Sequence, residues 1–405
     1  MADYDYIIAG GGAAGLSLAY QLINSPLRDR TILLIDKGAK QQNDRTWAFW
    51  TDEPTLFEPI VYRSWDQLQL ADDDSAQLID LKGYRYQVIR GIDFYHFVHA
   101  ALAERPNVTL LQGTVEQIVD GEERAQVIVD GQPHTGAWVF DSVFRPAELD
   151  EDARHQHLQL HFKGWEIETA ADAFNPAAAT LMDFRTPQER ETRFFYVLPF
   201  SPRRALVEFT VFSDDRFSHA EYAEALRDYL AEVLGISDYR IVDEEQGVIP
   251  ATDQPFPRRA GRRVMTIGTK GGRVKPSTGY AFIRIQRDSA AIVRSLLEQG
   301  HPFDVPEDSQ RYRLLDSVML EMMDHYGDQL KPIFTAMFER NPIDRIFRFL
   351  DEEGTPVENL QLIATLPPAL FIQAAFQWQF THNTPLRPFA ALVGQDPGEP
   401  SATES

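Results

Sequence analysis

Residues 10–15 read Gly-Gly-Gly-Ala-Ala-Gly, a G-x-G-x-x-G run between an apolar strand pattern at 4–9 and a helical pattern at 16–23. Gly10 permits a tight turn, Gly12 lets backbone approach a pyrophosphate at the helix N-terminus beside Ala13 and Ala14, and Gly15 allows close helix–strand packing. The next strand pattern, 31–36, ends on Asp36, 21 residues beyond Gly15. A carboxylate there can accept hydrogen bonds from ribose hydroxyls. Far along the chain, Gly268-Thr269-Lys270-Gly271-Gly272 leads to Pro276-Ser277-Thr278-Gly279-Tyr280 and a second helix start. Backbone N–H groups and the positive end of a helix dipole, facing the pyrimidine side of a flavin, would stabilise its anionic reduced form. The plain alternative is a capped surface loop. Together these segments point to FAD, held by Gly10, Gly12, Ala13, Ala14, Gly15 and Asp36 at one end and by Gly268, Thr269, Pro276, Thr278 and Gly279 at the other.

Two acidic features stand apart. Glu208 is the only ionisable side chain in Ala205-Leu206-Val207-Glu208-Phe209-Thr210-Val211-Phe212. By the two-residue period it shares a strand face with Leu206, Thr210 and Phe212. Desolvation there would raise its pKa and keep it protonated, as a general acid requires; an edge-strand Glu facing water, or a paired core Glu, is the alternative. Asp351, Glu352 and Glu353 form the second group, either an ordinary solvated charge run before Gly354-Thr355-Pro356 or part of a site.

The elements that must position these residues follow from periodicity. Strand patterns at 108–111, 115–119, 125–129 and 137–141 and a helix at about 92–104 continue the opening βαβ unit, whereas the aromatic-rich stretch 43–65 has little periodicity. Longer β segments at 159–168, 194–199 and 204–212, with a helix at 218–234, read as a second, sheet-based domain. A short buried strand at 263–268 and a helix at 280–298 return to the first. The expected boundaries are 1–154 for the first part of the FAD-binding domain, 155–250 for a β-sheet substrate domain, 251–300 for the segment completing the first, 301–392 for a helical C-terminal region and 393–405 for a disordered tail.

The 405 residues include 61 acidic and 39 basic side chains, of which 7 are Lys and 32 Arg, a balance that argues against a nucleic-acid partner. With no cysteine, thiolate metal sites and cysteine nucleophiles are excluded, and no metal site is expected. No apolar run approaches the roughly 20 residues that span a bilayer. The N-terminal residues lack the pattern of a signal peptide, so a cytoplasmic location is expected.

Three segments then carry a resemblance. Asn43-Asp44-Arg45-Thr46-Trp47-Ala48-Phe49-Trp50 is similar to the N-D-R-T-W-x-F-W segment of bacterial lycopene cyclases, Pro276-Ser277-Thr278-Gly279-Tyr280 to their P-S-T-G-Y motif, and Phe349-Leu350-Asp351-Glu352-Glu353 to F-L-D-E-E, with Gly354 an apparent insertion before Thr355. The chain resembles this lycopene β-cyclase family from Asp5 to about Phe376. The resemblance implies an α/β fold with an FAD-binding Rossmann-like domain of the FAD-dependent hydroxylase-like type, a β-sheet substrate domain and C-terminal helices. It implies cyclisation of lycopene, by way of γ-carotene, without net oxidation, on FAD reduced by NADPH or another donor. Arg45 is counted with the cofactor-binding residues, Glu208 becomes the catalytic acid, and Asp351, Glu352 and Glu353 become candidates for base, counter-charge or support of a substrate loop. Phe209 stands where a second acid is common, which puts any role for adjacent carboxylates in doubt. A substrate dissolved in lipid implies peripheral contact with a membrane surface, for which the apolar segments 366–372 and 376–380 are the expected site; the oligomeric state stays open. A flavin monooxygenase, a prenyl-chain reductase and a non-catalytic carotenoid-binding flavoprotein are the rival readings. Trp47, Phe49, Trp50, Trp165, Phe195 and Tyr196 would either line a substrate tunnel or pack in the core.

Overall fold

Ile7, Ile8 and Ala9 are fully buried, as both faces of a strand inside a parallel sheet must be. They end the strand Asp3–Ala9, which pairs in parallel with Ile32–Asp36 on one side and Gln132–Asp141 on the other. The computed structural model describes residues 3–149, 155–368, 370–371 and 373–374; residues 393–405, read above as a tail, lie outside these. Beyond Ile32–Asp36 the sheet adds Val108–Gln112, and beyond Gln132–Asp141 it adds Ala125–Val129 and Val115–Val119. Val264–Thr266 also pairs in parallel with Gln132–Asp141, so a late segment joins the first sheet. The first helix spans Ala13–Ile23 rather than starting at residue 16. Gly12 takes its cap position, so the second half of the glycine motif is already the first helical turn.

The second sheet has the order Tyr239–Thr252, His157–Thr169, Arg204–Ser213, Thr192–Ser201, Ala178–Asp183, Gln67–Ala71, Ala76–Asp80. Its last two strands come from before residue 155. Leu68 and Leu70 point into the large core on alternate positions, but their parallel pairing with Ala178–Asp183 is a long crossover that no local pattern announces. The stretch 43–65, without clear periodicity, contributes Thr46–Thr51 and Arg63–Trp65 to a three-stranded sheet around Arg85–Arg90. Phe49 and Trp50 explain the lost alternation: both are buried, in two different cores on opposite sides of the strand. The helix expected over 218–234 is α-helical over His219–Asp228 and closes in a π-helical turn, Tyr229–Val233. There Tyr229 stacks on Phe195 at 3.8 Å and donates to Asp183 at 2.7 Å.

The C-terminal helices Gln310–Tyr326, Lys331–Arg340, Ile343–Leu350 and Pro356–Ile363 break where proline and glycine predicted, and Thr355 caps the last by accepting from Glu358 N. They are fastened to the cofactor-side loop by a buried charge network. Lys275 Nζ lies 2.9 Å from both Asp316 Oδ1 and Glu352 Oε1, Arg284 reaches Glu352 at 2.7 Å, and Ser277 donates to Asp316 at 2.5 Å. Removing one partner from such a group leaves a buried charge uncompensated, which costs roughly 3–5 kcal/mol. Lys275→Met is therefore expected to lose about that much stability, seen as a lower urea midpoint; an unchanged midpoint would show that the network is solvated in solution.

Candidate functional site

A cavity of about 1170 Å³ runs from the ends of the first sheet to the face of the second. Gly10, Gly12, Ala13, Ala14, Asp36, Arg45, Gly268, Thr269, Thr278, Gly279 and Glu208 all lie on its wall, although they come from five separate stretches of sequence. Gly15 sits behind it: a Cβ there would fall 1.9 Å from Gly10 O, so the residue sets the helix against the turn. Pro276 is not on the wall.

The dinucleotide end fits a pyrophosphate. Gly10 has φ +100°, open to glycine without strain. The helix Ala13–Ile23 has no side-chain cap at Gly12, which leaves first-turn N–H groups free, and a Cβ on Gly12 would meet nothing within 4 Å. Asp36 accepts from Gly11 N at 2.6 Å and Gly38 N at 2.7 Å, which fixes its carboxylate at the cavity edge. At the other end the helix begins at Phe282, two residues after Tyr280, and its cap residue Ala281 likewise offers no side-chain acceptor.

Glu208 lies on the internal strand Arg204–Ser213, paired on both sides, so the edge-strand alternative does not apply. It is half-buried and on the cavity wall. Directly across the neighbouring strand stands Gly164, and directly across the strand after that stands Glu245. A Cβ on Gly164 would lie 3.1 Å from Glu245 Cγ and 3.4 Å from Glu208 Cβ. The missing side chain is what lets the two carboxyl groups meet and hydrogen-bond. Thr210 Oγ1 donates to Glu208 at 3.1 Å, and Thr46 Oγ1 donates to Glu245 at 2.8 Å. Burial, and then the charge and hydrogen bond of Glu245, hold the Glu208 carboxyl well above the usual carboxylate range. Burial also raises Glu245, opposed by the hydrogen bonds from Glu208 and Thr46. Both shifts favour a proton held between the two carboxyls.

Three phenols surround this pair. Tyr196 and Tyr280 hydroxyls are 3.2 Å apart, and Tyr280 meets Trp50 edge-on at 4.8 Å. Burial pushes Tyr280 up to about 12 and Tyr86 and Tyr196 further, so all three stay neutral. Of the aromatics singled out from sequence, Trp47 and Tyr196 line the cavity, while Phe49, Trp50, Trp165 and Phe195 pack in cores.

Asp351, Glu352 and Glu353 do not share the cavity with Glu208. Arg287 pairs with Asp351 at 3.5 Å and with Glu353 at 2.9 Å, and Glu352 belongs to the Lys275 network, which holds it below the usual range. Of their three expected roles, support of a loop fits this geometry, because Lys275 begins the loop that carries Thr278 to Tyr280 onto the wall. Leu366, expected at a membrane surface, is instead buried in the large core, with Leu370 and Phe371 packed against it; segment 376–380 lies outside the described residues. Among the described residues no helix is long and apolar enough to cross a membrane.

Sequence reasoning missed Glu245, Gly164 and Tyr86. Glu245 hides in the run Asp243-Glu244-Glu245, which reads as solvated. The one available signal was Gly164 inside a strand pattern, a mark of close approach.

The sequence matches the family described as lycopene cyclase protein over residues 5–376. The chain belongs to this family. It is 25% identical over 300 residues to a lycopene beta-cyclase of Pantoea ananas, covering 69% of this chain and 71% of that one. It is 27% identical over 302 residues to a lycopene beta-cyclase of a Paracoccus strain, covering 69% and 70%. A neoxanthin synthase of Solanum lycopersicum is 24% identical over 314 residues, and the match spans 73% of this chain but only 61% of that relative. Among solved structures, a flavin-dependent brominase aligns with TM-score 0.59 at 16% identity over 93% of this chain and 100% of that one. A geranylgeranyl bacteriochlorophyll reductase-like protein of Thermoplasma acidophilum aligns with TM-score 0.57 at 12% identity over 97% and 100%. The fold of this family member is therefore the α/β fold of FAD-dependent enzymes.

The open space at Gly12 makes the cofactor end testable apart from folding. Gly12→Val should fold with the melting temperature of the flavin-stripped wild type, yet push its branches into the pyrophosphate space and purify without flavin absorbance. A stoichiometric flavin spectrum would mean that the cradle lies elsewhere.

Proposed function

We propose that the protein cyclises the end groups of lycopene to β-ionone rings, giving β-carotene by way of γ-carotene, in a redox-neutral reaction on reduced FAD. The observation that carries this reading is a carboxyl, Glu208, set on an internal strand opposite Glu245 and held well above the usual carboxylate range, on the wall of a large cavity whose other end fits a dinucleotide, in a chain of the lycopene cyclase family. The cavity exceeds the roughly 300–1,000 Å³ of ordinary ligand pockets, as one shared by a dinucleotide and an apolar chain end would.

Glu208 delivers its proton to the terminal double bond. The neighbouring double bond attacks the resulting cation and closes the ring, and loss of a proton from the ring leaves an isomer of the substrate. Bound reduced FAD would supply negative charge against the cation. Phe194, Leu160, Leu206 and Ile249 on the wall exclude water from it. The rings of Tyr86, Tyr196 and Tyr280 offer π faces that stabilise positive charge while their phenols remain un-ionised. NADPH or another donor keeps the flavin reduced, and a lipid-dissolved substrate is met at a membrane surface from the cytoplasm. In this reading residues 1–154 and 251–300 form the cofactor domain, less the two strands at 67–80, and 155–250 the substrate sheet.

A prenyl-chain reductase on the same fold is the reading to separate, since the fold is shared with a reductase-like protein. Under strict anaerobiosis a cyclase should form many products per reductant oxidised; a fixed one-to-one ratio would refute the cyclase. Glu208→Gln keeps shape and hydrogen bonding but cannot donate a proton at useful acidity. FAD content should stay normal while turnover of lycopene falls by roughly 10²–10⁴-fold or more. Glu208→Asp, with its acid withdrawn by about one methylene, should lose on the order of 100-fold. Retained activity in Glu208→Gln would assign the acid to another residue.

A further inference from the structure

Glu245 lies on two cavities at once. With Thr46 and Leu206 it lines both the large cavity and a small second pocket of about 10 Å³ on its far side. That volume is about the room one water requires. Asn43, Arg90, Glu166, Asp243 and Glu244 line the small pocket beside Phe200, so charged groups face Glu245 there, whereas Glu208 opens onto the large cavity alone. The two carboxyl groups that meet over Gly164 are therefore not equivalent. Glu245 accepts from Thr46 and has the Arg45 guanidinium as a charge partner; its like-charged neighbour is Asp243 on its own strand. Glu208 faces Thr210 on its own strand, Tyr196 on the next, and Tyr86 and Tyr280 from the other elements packed against it, with no cation among them.

We infer that Glu245 is the positioning residue of the acid: as the ionised member of a one-proton pair, it holds the shared proton on the Glu208 carboxyl and aims that group across Gly164 into the large cavity. This rests on the cyclisation reading and deepens it. The pair carries one proton before turnover, gives it to the alkene, and regains one when the ring loses its proton, so no external acid is consumed. Two carboxylates this close cannot both ionise at ordinary cost, which is how such pairs keep one member neutral. Glu244, beside Glu245 in sequence, also borders the small pocket but is exposed and pairs with Lys163 at 2.8 Å.

The test is the pH dependence of lycopene turnover by the FAD-reduced holoenzyme. The acid works only when neutral, so activity is present below its pKa and lost as pH rises through it. Glu245→Gln removes the neighbouring charge and offers an N–H that stabilises ionised Glu208. The high-pH limb should then move down by about 1–3 pH units, with activity recovered at low pH. Glu245→Asp retains the charge and should keep the limb near that of the wild type. Gly164→Ala keeps both carboxyls but puts a methyl group between them, 2.9 Å from Leu206 Cδ1 and 3.1 Å from Glu245 Cγ; it should move the limb in the same direction as Glu245→Gln. A purely structural role for Glu245 would lower activity at every pH and leave the limb in place, and that result overturns the inference. Glu208→Gln run alongside separates the two readings: if it stays active, the acid assignment itself fails, whatever Glu245 does.

Discussion

Moving an ionised carboxylate out of water costs on the order of several kcal/mol even after the protein relaxes, and the surroundings of Glu208 are arranged around that cost. The internal strand leaves it no route to bulk solvent along a sheet edge, and its wall neighbours are apolar side chains and phenols. Two outcomes are open to such a group, pairing with a cation or remaining neutral. Among the described residues no cation pairs with Glu208 itself; a second carboxyl, Glu245, is brought up instead, which favours the neutral form. A carboxyl whose surroundings do not tolerate its charge is suited to protonating an alkene, because the carboxylate left behind then faces the cation formed.

Three cations behind the cavity wall are held in ion pairs. Lys275 and Arg284 are taken up by Glu352 and Asp316, and Arg287 by Asp351 and Glu353. These pairs join the loop at 275–280, the helix Phe282–Gln299 and the C-terminal helices, so that Tyr280 is delivered to the wall by a loop whose other end is locked. Glu352 has φ +65°, a left-handed conformation uncommon for a side-chain-bearing residue, held by its two ion pairs. The acidic motif thus ties the loop at 275–280 to the C-terminal helices. At the dinucleotide end, two helix N-termini without side-chain caps face the cavity together with Lys37, Lys40, Arg45 and Arg145.

Much of this was readable from local pattern. The βαβ unit, the glycine turn, Asp36, the late Gly-rich loop and the strand carrying Glu208 depend on periodicity and on residue types with few conformational alternatives, and each occupies the position that its spacing implies. The isolated carboxyl between Val207 and Phe209 announced its own desolvation, because an apolar strand flanked by apolar strands has nowhere else to put it. Local pattern failed where one residue answered to two environments: the strand Thr46–Thr51 lost its alternation because Phe49 and Trp50 fill different cores.

By itself, then, the sequence determined the turn chemistry, the placing of Glu208 in an apolar strand and the helix breaks at Pro332, Pro342 and Pro356, since these are properties of a residue and its immediate neighbours. Only the tertiary structure decided which charges meet. The strands at 67–80 crossed into the second sheet, Asp351 to Glu353 turned away from the cavity, and Glu245 came to lie opposite Glu208 through a glycine on a third strand. The physical reason is that sheet register couples residues far apart in sequence through backbone hydrogen bonds, which are nearly blind to side-chain identity. A carboxylate's environment is set by those distant neighbours and not by the charge run in which it is written.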